Sequence, residues 1–231
     1  MSLTNKAALT LEEAVRTRRS IRAFRPDPVP RETVEKILDL ARFAPNGSNI
    51  QPWHVYVVAG ETRDRVCADI LAADAADEPG HDEEYQYYPV DWFEPLLARR
   101  RQLGKALYGL ADIAKGDVEA MKRQQARNYA FFDAPVGLFF SLDQRNQYGG
   151  WIDMGGFLQT AMLAARSFGL HSCPQQSFSK YHRIIRQHVQ IPEDHVLVCG
   201  MALGYADESA AVNRLEPAKE PVEAFTTFFW D

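Results

Sequence analysis

The sequence predicts an α+β layer fold, on three observations. Segments with helical periodicity outnumber β-rich runs. The β-rich runs do not alternate one-for-one with helices, as a βαβ repeat requires. No G-x-G-x-x-G turn follows a strand. The 231 residues are 46% hydrophobic, enough for one sizeable core. Neither a repeat nor a linker interrupts them, so residues 1–231 read as one domain with a lid-like insertion at about 77–110.

The first helix opens at "TLEEAVRTRR", where Thr10 and Glu13 have capping-box spacing. It should fail near Ser20, because "RPDPVP" cannot continue it. In 31–44, Val34, Ile37, Leu38 and Ala41 share one helical face, and Pro45 stops the helix. "PNGSNIQP" (45–52) is a loop of turn formers, and "WHVYVVA" (53–59) a strand. Residues 61–73 are helical. The polar, tyrosine-rich 77–89 reads as a surface excursion or lid. Residues 91–110 and 117–132 are helical by periodicity, and "APVGLFFSL" (134–142) is a buried strand. Residues 149–170 form the most apolar helix, buried on most sides and ended at Gly169. "HSCPQQSF" is extended, 180–189 helical, and 195–206 the final core strand. The aromatic tail must be packed against something.

The net charge of −5 argues against a general nucleic-acid binder. No run of ~18 apolar residues predicts a membrane span, and the N-terminus has no leader pattern. Three widely spaced cysteines, Cys67, Cys173 and Cys199, fit a reducing cytoplasm. His171, His182, His188 and His195 lack metal-ligand spacing, so no metal is expected. The glycines at 149, 150, 155 and 156 read as close helix packing. No Walker motif or nucleophile elbow is present.

Two segments stand apart. "RTRRSIRAFR" places five arginines in ten residues, across a helix end and a turn. A solvated helix face is the ordinary fate of such a run. Arg18, Arg19 and Ser20, however, put fork-shaped donors and a hydroxyl where they converge, which suits phosphate oxygens. "APNGSNIQPW" sets Asn46, Ser48, Asn49 and Gln51 on one loop. Their amides suit the mixed donor and acceptor edge of a heterocycle, or a plain polar turn.

In that order, "RRSIRAF", "APNGSNIQPW", "AARSFGLHSCPQQSF" and "VLVCGMALGYAD" resemble the segments of the FMN-dependent nitroreductase family, from Leu11 to Phe225. "YYPVDWFEPLLARRRQLGKALYGL" is similar to the insertion of its nitrobenzoate and nitrophenol reductase-like branch. The resemblance implies a central, mostly antiparallel sheet wrapped by helices, in an intertwined homodimer with FMN at the interface. It implies that Arg18, Arg19, Ser20 and Arg22 serve the phosphate and pyrimidine edge. It also implies that Pro45, Asn46, Gly47, Asn49 and Gln51 form the loop lent by the partner chain. Pro174, Gln175, Gln176 and Ser177 would face the flavin N5 edge, with Lys219 near the phosphate. Gln176-Ser177 stands where some relatives carry Glu-Gly, and Lys219 where arginine is frequent. Asn128, one turn from Gln124, could contact the isoalloxazine.

The implied activity is ping-pong reduction of nitroaromatic or related electron-poor acceptors, with NADPH or NADH as donor. The flavin is the redox centre, and no side chain is an obligatory acid. Enone or quinone reduction, dehalogenation and flavin breakdown are other chemistries of the same scaffold. A non-enzymatic FMN-binding protein is the alternative of another class. Tyr85, Tyr87, Tyr88, Trp92 and Phe93 could wall an aromatic pocket, and Arg99, Arg100 and Arg101 could attract an acidic substituent, although a solvated helix face is the ordinary fate for at least two of them. FMN contacts are expected outside the insertion.

Overall fold

The computed structural model describes residues 9–230. Residues 1–8, on which much of the N-terminal leader reading rests, lie outside that range, as does Asp231. Four strands form an antiparallel sheet in the order β1-β2-β4-β3: β1 His54–Ala59, β2 Val136–Asp143, β3 His171–Gln175 and β4 His195–Gly204. Leu138 pairs with Val57 of β1 on one side and Met201 of β4 on the other. β2 thus lies inside the sheet and is buried on both faces, which explains its continuous apolar run.

The sheet separates two cores. Phe131, Phe139, Phe178 and Tyr181 pack on one face with helices α3 (Gly60–Ala75) and α7 (His182–His188). Leu138, Phe140, Met154 and Phe157 pack on the other with α2 (Arg31–Ala41) and α6 (Tyr148–Ser167). The alternation of Leu138, Phe139 and Phe140 between the cores is the two-residue period of a strand. Helix α1 (Leu11–Thr17) opens with the expected capping box: Glu13 N–H donates to Thr10 Oγ1 at 3.2 Å and Thr10 N–H to Glu13 Oε2 at 2.7 Å.

Three helical expectations need correction. α4 begins at Leu96 rather than Asp91, and ends at Leu110. Pro95 stands at its N-terminus, where the Glu94 carboxylate accepts from Ala98 N–H at 3.0 Å. α5 covers only Val118–Ala126. A tight turn follows, with Phe131, Phe132 and Asp133 in the left-handed region. Burying both phenylalanines outweighs helix periodicity here. The Phe131 ring lies against Gly137, where any Cβ would stand 2.3 Å from it. Finally, α6 is covered by the sheet, α2 and α1 but keeps one open face along Tyr148, Ile152, Gly155 and Gln159. Tyr148 and Ile152 are 86% and 75% exposed. Gly149 and Gly155 face open space, so they pack no helix within the subunit.

The insertion begins firmly anchored. Glu84 meets Arg186 at 3.0 Å and His182 at 3.2 Å, and accepts Leu197 N–H at 2.9 Å. The Tyr85 ring packs at a tilt against Trp151 with centroids 4.6 Å apart, while Tyr87, Tyr88, Val90 and Phe93 are exposed.

Candidate functional site

Past α1 the chain turns extended at Arg18 and runs beside β3. Ser20 bridges Ser172, and Ile21 N–H donates to Ser172 O at 3.2 Å. Asn213 fastens the strip. Its Oδ1 accepts Arg22 N–H at 2.7 Å, and its Nδ2 donates to the carbonyls of Ala23 and Asp207, both at 2.8 Å. This buried amide satisfies backbone groups that would otherwise be orphaned. No local pattern around Asn213 announces the role.

The strip forms one wall of a cleft of about 620 Å³. The other is the returning chain at Leu215, Glu216, Pro217 and Lys219, with Leu103 of α4 between. The cleft gathers five of the expected cofactor residues: Arg18, Arg19, Ser20, Arg22 and Lys219. Arg19 is paired with Glu216 at 2.7 Å. Arg22 uses its guanidinium on Ser20 O at 3.2 Å. Among the described residues, Arg18, Arg22 and Lys219 have no carboxylate partner. The cleft therefore holds an excess of positive charge in a chain that is acidic overall. Glu216 and Leu103 were not foreseen from sequence. Glu216 stands three residues before Lys219, a faint charge signal, whereas Leu103 has none.

Through Ser20 and Ser172, the strip joins the β3 end, where Pro174, Gln175, Gln176 and Ser177 lie. Gln175 is buried, and its Nε2 donates to Asn128 O at 2.7 Å. Asn128 Nδ2 turns back to Gln125 O at 2.9 Å, so within the subunit Asn128 braces Gln175. Gln176 Nε2 donates to Ser179 Oγ at 2.8 Å. Ser172 Oγ, Gln175 Oε1 and Ser177 Oγ are buried without a hydrogen-bond partner in the chain, a costly state.

The loop holding Pro45, Asn46, Gly47, Asn49 and Gln51 does not line this cleft. It is exposed, with Ser48, Asn49 and Gln51 in the left-handed region. Such strain persists only where surroundings enforce it. Here Asn46 Oδ1 accepts Gln51 N–H at 2.8 Å, and Asp153 of α6 accepts Gly47 N–H at 3.2 Å.

Two of the insertion arginines are engaged within the chain rather than free for an acidic substituent. Arg99 pairs with Glu220 at 2.9 Å, and Arg100 lies 4.4 Å over the Trp92 ring. Burial pushes the thiols of Cys67 and Cys173 up to about 11 and that of Cys199 to about 12, so all three stay protonated at neutral pH. Burial, with Arg166 and Arg19 nearby, lowers His171 to about 4, so it is neutral at pH 7. No group of three or more His, Cys, Asp or Glu side chains placed to hold a metal occurs among the described residues, and no helix among them is long and apolar enough to cross a membrane.

The model of the nitroreductase family matches residues 15–205. The chain is 40% identical over 222 residues to a chloronitrobenzene nitroreductase of Comamonas testosteroni, covering 94% of this chain and 96% of that one. It is 40% identical to a 4-nitrobenzoate reductase of Pseudomonas putida, covering 94% of each. Among solved structures, the FMN-dependent nitroreductase NfnB of Mycobacterium smegmatis, in complex with NADPH, superposes with a TM-score of 0.89 at 34% identity, over 94% of this chain and 96% of that one.

Proposed function

The chain belongs to the nitroreductase family, and on that premise we propose that it is an FMN-dependent oxidoreductase, reducing nitroaromatic acceptors with electrons from NADPH or NADH. The observation that carries this is the cleft at Arg18, Arg22 and Lys219, cationic and without carboxylate partners among the described residues. A dianionic phosphate fits such a donor set. The unpartnered buried oxygens of Ser172, Gln175 and Ser177, on the adjoining strand end, fit the polar remainder of the cofactor. FMN, when bound, supplies the two-electron exchange between nicotinamide and acceptor.

The protein's own residues bind and orient. Arg18 and Lys219 hold the phosphate, with Arg19 kept in place by Glu216. Ser20 and Arg22 serve the pyrimidine side. Pro174, Gln175, Gln176 and Ser177 would lie at the N5 edge, where main-chain N–H groups of the last three and the Ser177 hydroxyl are the available donors, and Asn128 braces Gln175. The cationic side chains of Arg18 and Arg22 would favour the negative charge of a reduced flavin held there. A single face shared by donor and acceptor in turn would give ping-pong kinetics.

The acting species is a homodimer in the cytoplasm. Phe229 and Trp230, about nine-tenths exposed, and the bare face of α6 support the dimer. Pro45, Asn46, Gly47, Asn49 and Gln51 complete the partner's site. The cytoplasm is supported by three buried, unpaired cysteines. Residues 1–231 act as one domain, with 77–110 as a lid whose exposed Tyr87, Tyr88 and Phe93 meet the aromatic acceptor.

The test is the visible spectrum of FMN-loaded protein without oxygen. NADPH or NADH should bleach the flavin band, and 4-nitrobenzoate should restore it. Bound FMN that neither nucleotide reduces would leave only a flavin-binding protein.

A further inference from the structure

The wall of the cleft that carries Lys219 has no regular structure of its own. Between Glu216 and Glu220 no backbone N–H donates a hydrogen bond to another backbone group among the described residues. Two ion pairs straddle Lys219 instead: Arg19 to Glu216 at 2.7 Å on one side, and Arg99 to Glu220 at 2.9 Å on the other. Arg99 belongs to α4, inside the insertion, and Leu103, four residues along the same helix, lines the cleft. We propose that the Arg99–Glu220 pair is a clamp that positions Lys219 toward the cofactor phosphate, so that the insertion sets FMN affinity as well as covering the acceptor side.

The inference rests on FMN as the ligand of the cleft. The physical reason is entropic. An irregular segment held at one end lets a lysine ammonium sample many positions. A second fixed point next to Lys219 removes most of them before the phosphate arrives. Arg99 touches neither phosphate nor flavin in this reading; it acts through Glu220 and Lys219. Both partners of the clamp are about half exposed, so the effect is modest and sensitive to salt.

The test is fluorescence titration of apo-protein with FMN and with riboflavin, which lacks the phosphate. Arg99→Ala and Glu220→Gln should each weaken FMN about threefold to fivefold at low salt and leave riboflavin unchanged. The exchanged pair, Arg99→Glu with Glu220→Arg, should recover FMN affinity. In a Lys219→Ala background, Arg99→Ala should do nothing further. An unchanged FMN dissociation constant in Arg99→Ala overturns the clamp, as does equal weakening of FMN and riboflavin, or a full additional loss on top of Lys219→Ala. Failure of the unaltered protein to bind FMN at micromolar concentration takes down the functional reading and the clamp together. FMN binding that is intact and indifferent to Arg99 sinks the clamp alone.

Discussion

The cationic cleft and the 45–51 loop look alike as sequence, each a short turn crowded with hydrogen-bonding side chains, yet the fold treats them in opposite ways. The cleft is concave and assembled from distant stretches, with Ser20 against Ser172 and Arg19 against Glu216. Three of its cations keep no carboxylate partner among the described residues. The loop is exposed, closed on itself through Asn46 and Gln51, and strained at three non-glycine residues. The cleft has the shape and charge of a receptor for an anion, and the loop that of a rigid projection. In the proposed homodimer, each projection would complete the other subunit's cleft.

The largest effect expected from breaking this pair is at the receptor. Arg18→Ala removes a charge-assisted hydrogen bond to phosphate, worth roughly 1.5–3 kcal/mol. FMN should bind about tenfold to a hundredfold more weakly, with riboflavin little changed. An unchanged FMN dissociation constant would return Arg18 to the role of a solvated surface charge.

Complementation sharpens the comparison next. Arg18→Ala spoils the cleft, and a combined Asn46→Ala and Asn49→Ala variant spoils the loop. Unfolded and refolded together in equal amounts, they should regain about a quarter of the native sites, because half the dimers pair an intact cleft with an intact loop. If the loop served its own subunit, mixing would recover nothing.

A smaller effect is expected where the projection is braced. Asp153→Ala removes the acceptor of Gly47 N–H. The exposed bond is worth roughly 1 kcal/mol, which lowers the melting temperature by about 2–4 °C in a chain of this size. FMN affinity should fall several-fold through the loop alone. A loss in Asp153→Ala that simply adds to that of Arg18→Ala in the same chain is the expected result, because the two lie on different halves of the site.

A further effect, read in pH rather than in affinity, is expected on the receptor side. His171 is neutral in the folded chain down to about pH 4, because burial and the Arg166 and Arg19 guanidiniums oppose its charge. The unfolded chain takes up that proton near the ordinary histidine value of about 6.5. Its contribution to stability is therefore complete above about pH 6.5 and is lost as pH falls toward 4. His171→Gln should flatten this part of the curve of melting temperature against pH. An unchanged slope between pH 6.5 and 4 would place the acid sensitivity in His182 and His195, which burial also lowers.

Much of the site was legible because its chemistry is written in adjacent residues. "RRSIR" and "PNGSNIQ" each carry their donors within a few positions, and Pro45 and Thr10 mark element boundaries through purely local forces. What failed was local in appearance but not in cause. The helix expected through Phe132 breaks because Phe131 and Phe132 reach a core completed by Phe139 and Phe178, later in the chain. Asn213 carries no motif and nonetheless holds the strip in place across 191 residues of separation.

The amino-acid sequence by itself determined which groups are present and which stretches would bend, since side-chain chemistry and backbone preference act over a few residues. It determined the strands, the apolar face of α2, the cluster of cations and the polar loop. Only the tertiary structure decided which cations stay free, that Arg99 pairs with Glu220, and that the two donor-rich turns do not share a cleft within one chain. The reason is physical. Whether a charge is neutralised, a strained turn held or a polar oxygen orphaned depends on neighbours brought together by burial of the sheet and its two cores, and nothing in the local pattern records who those neighbours are.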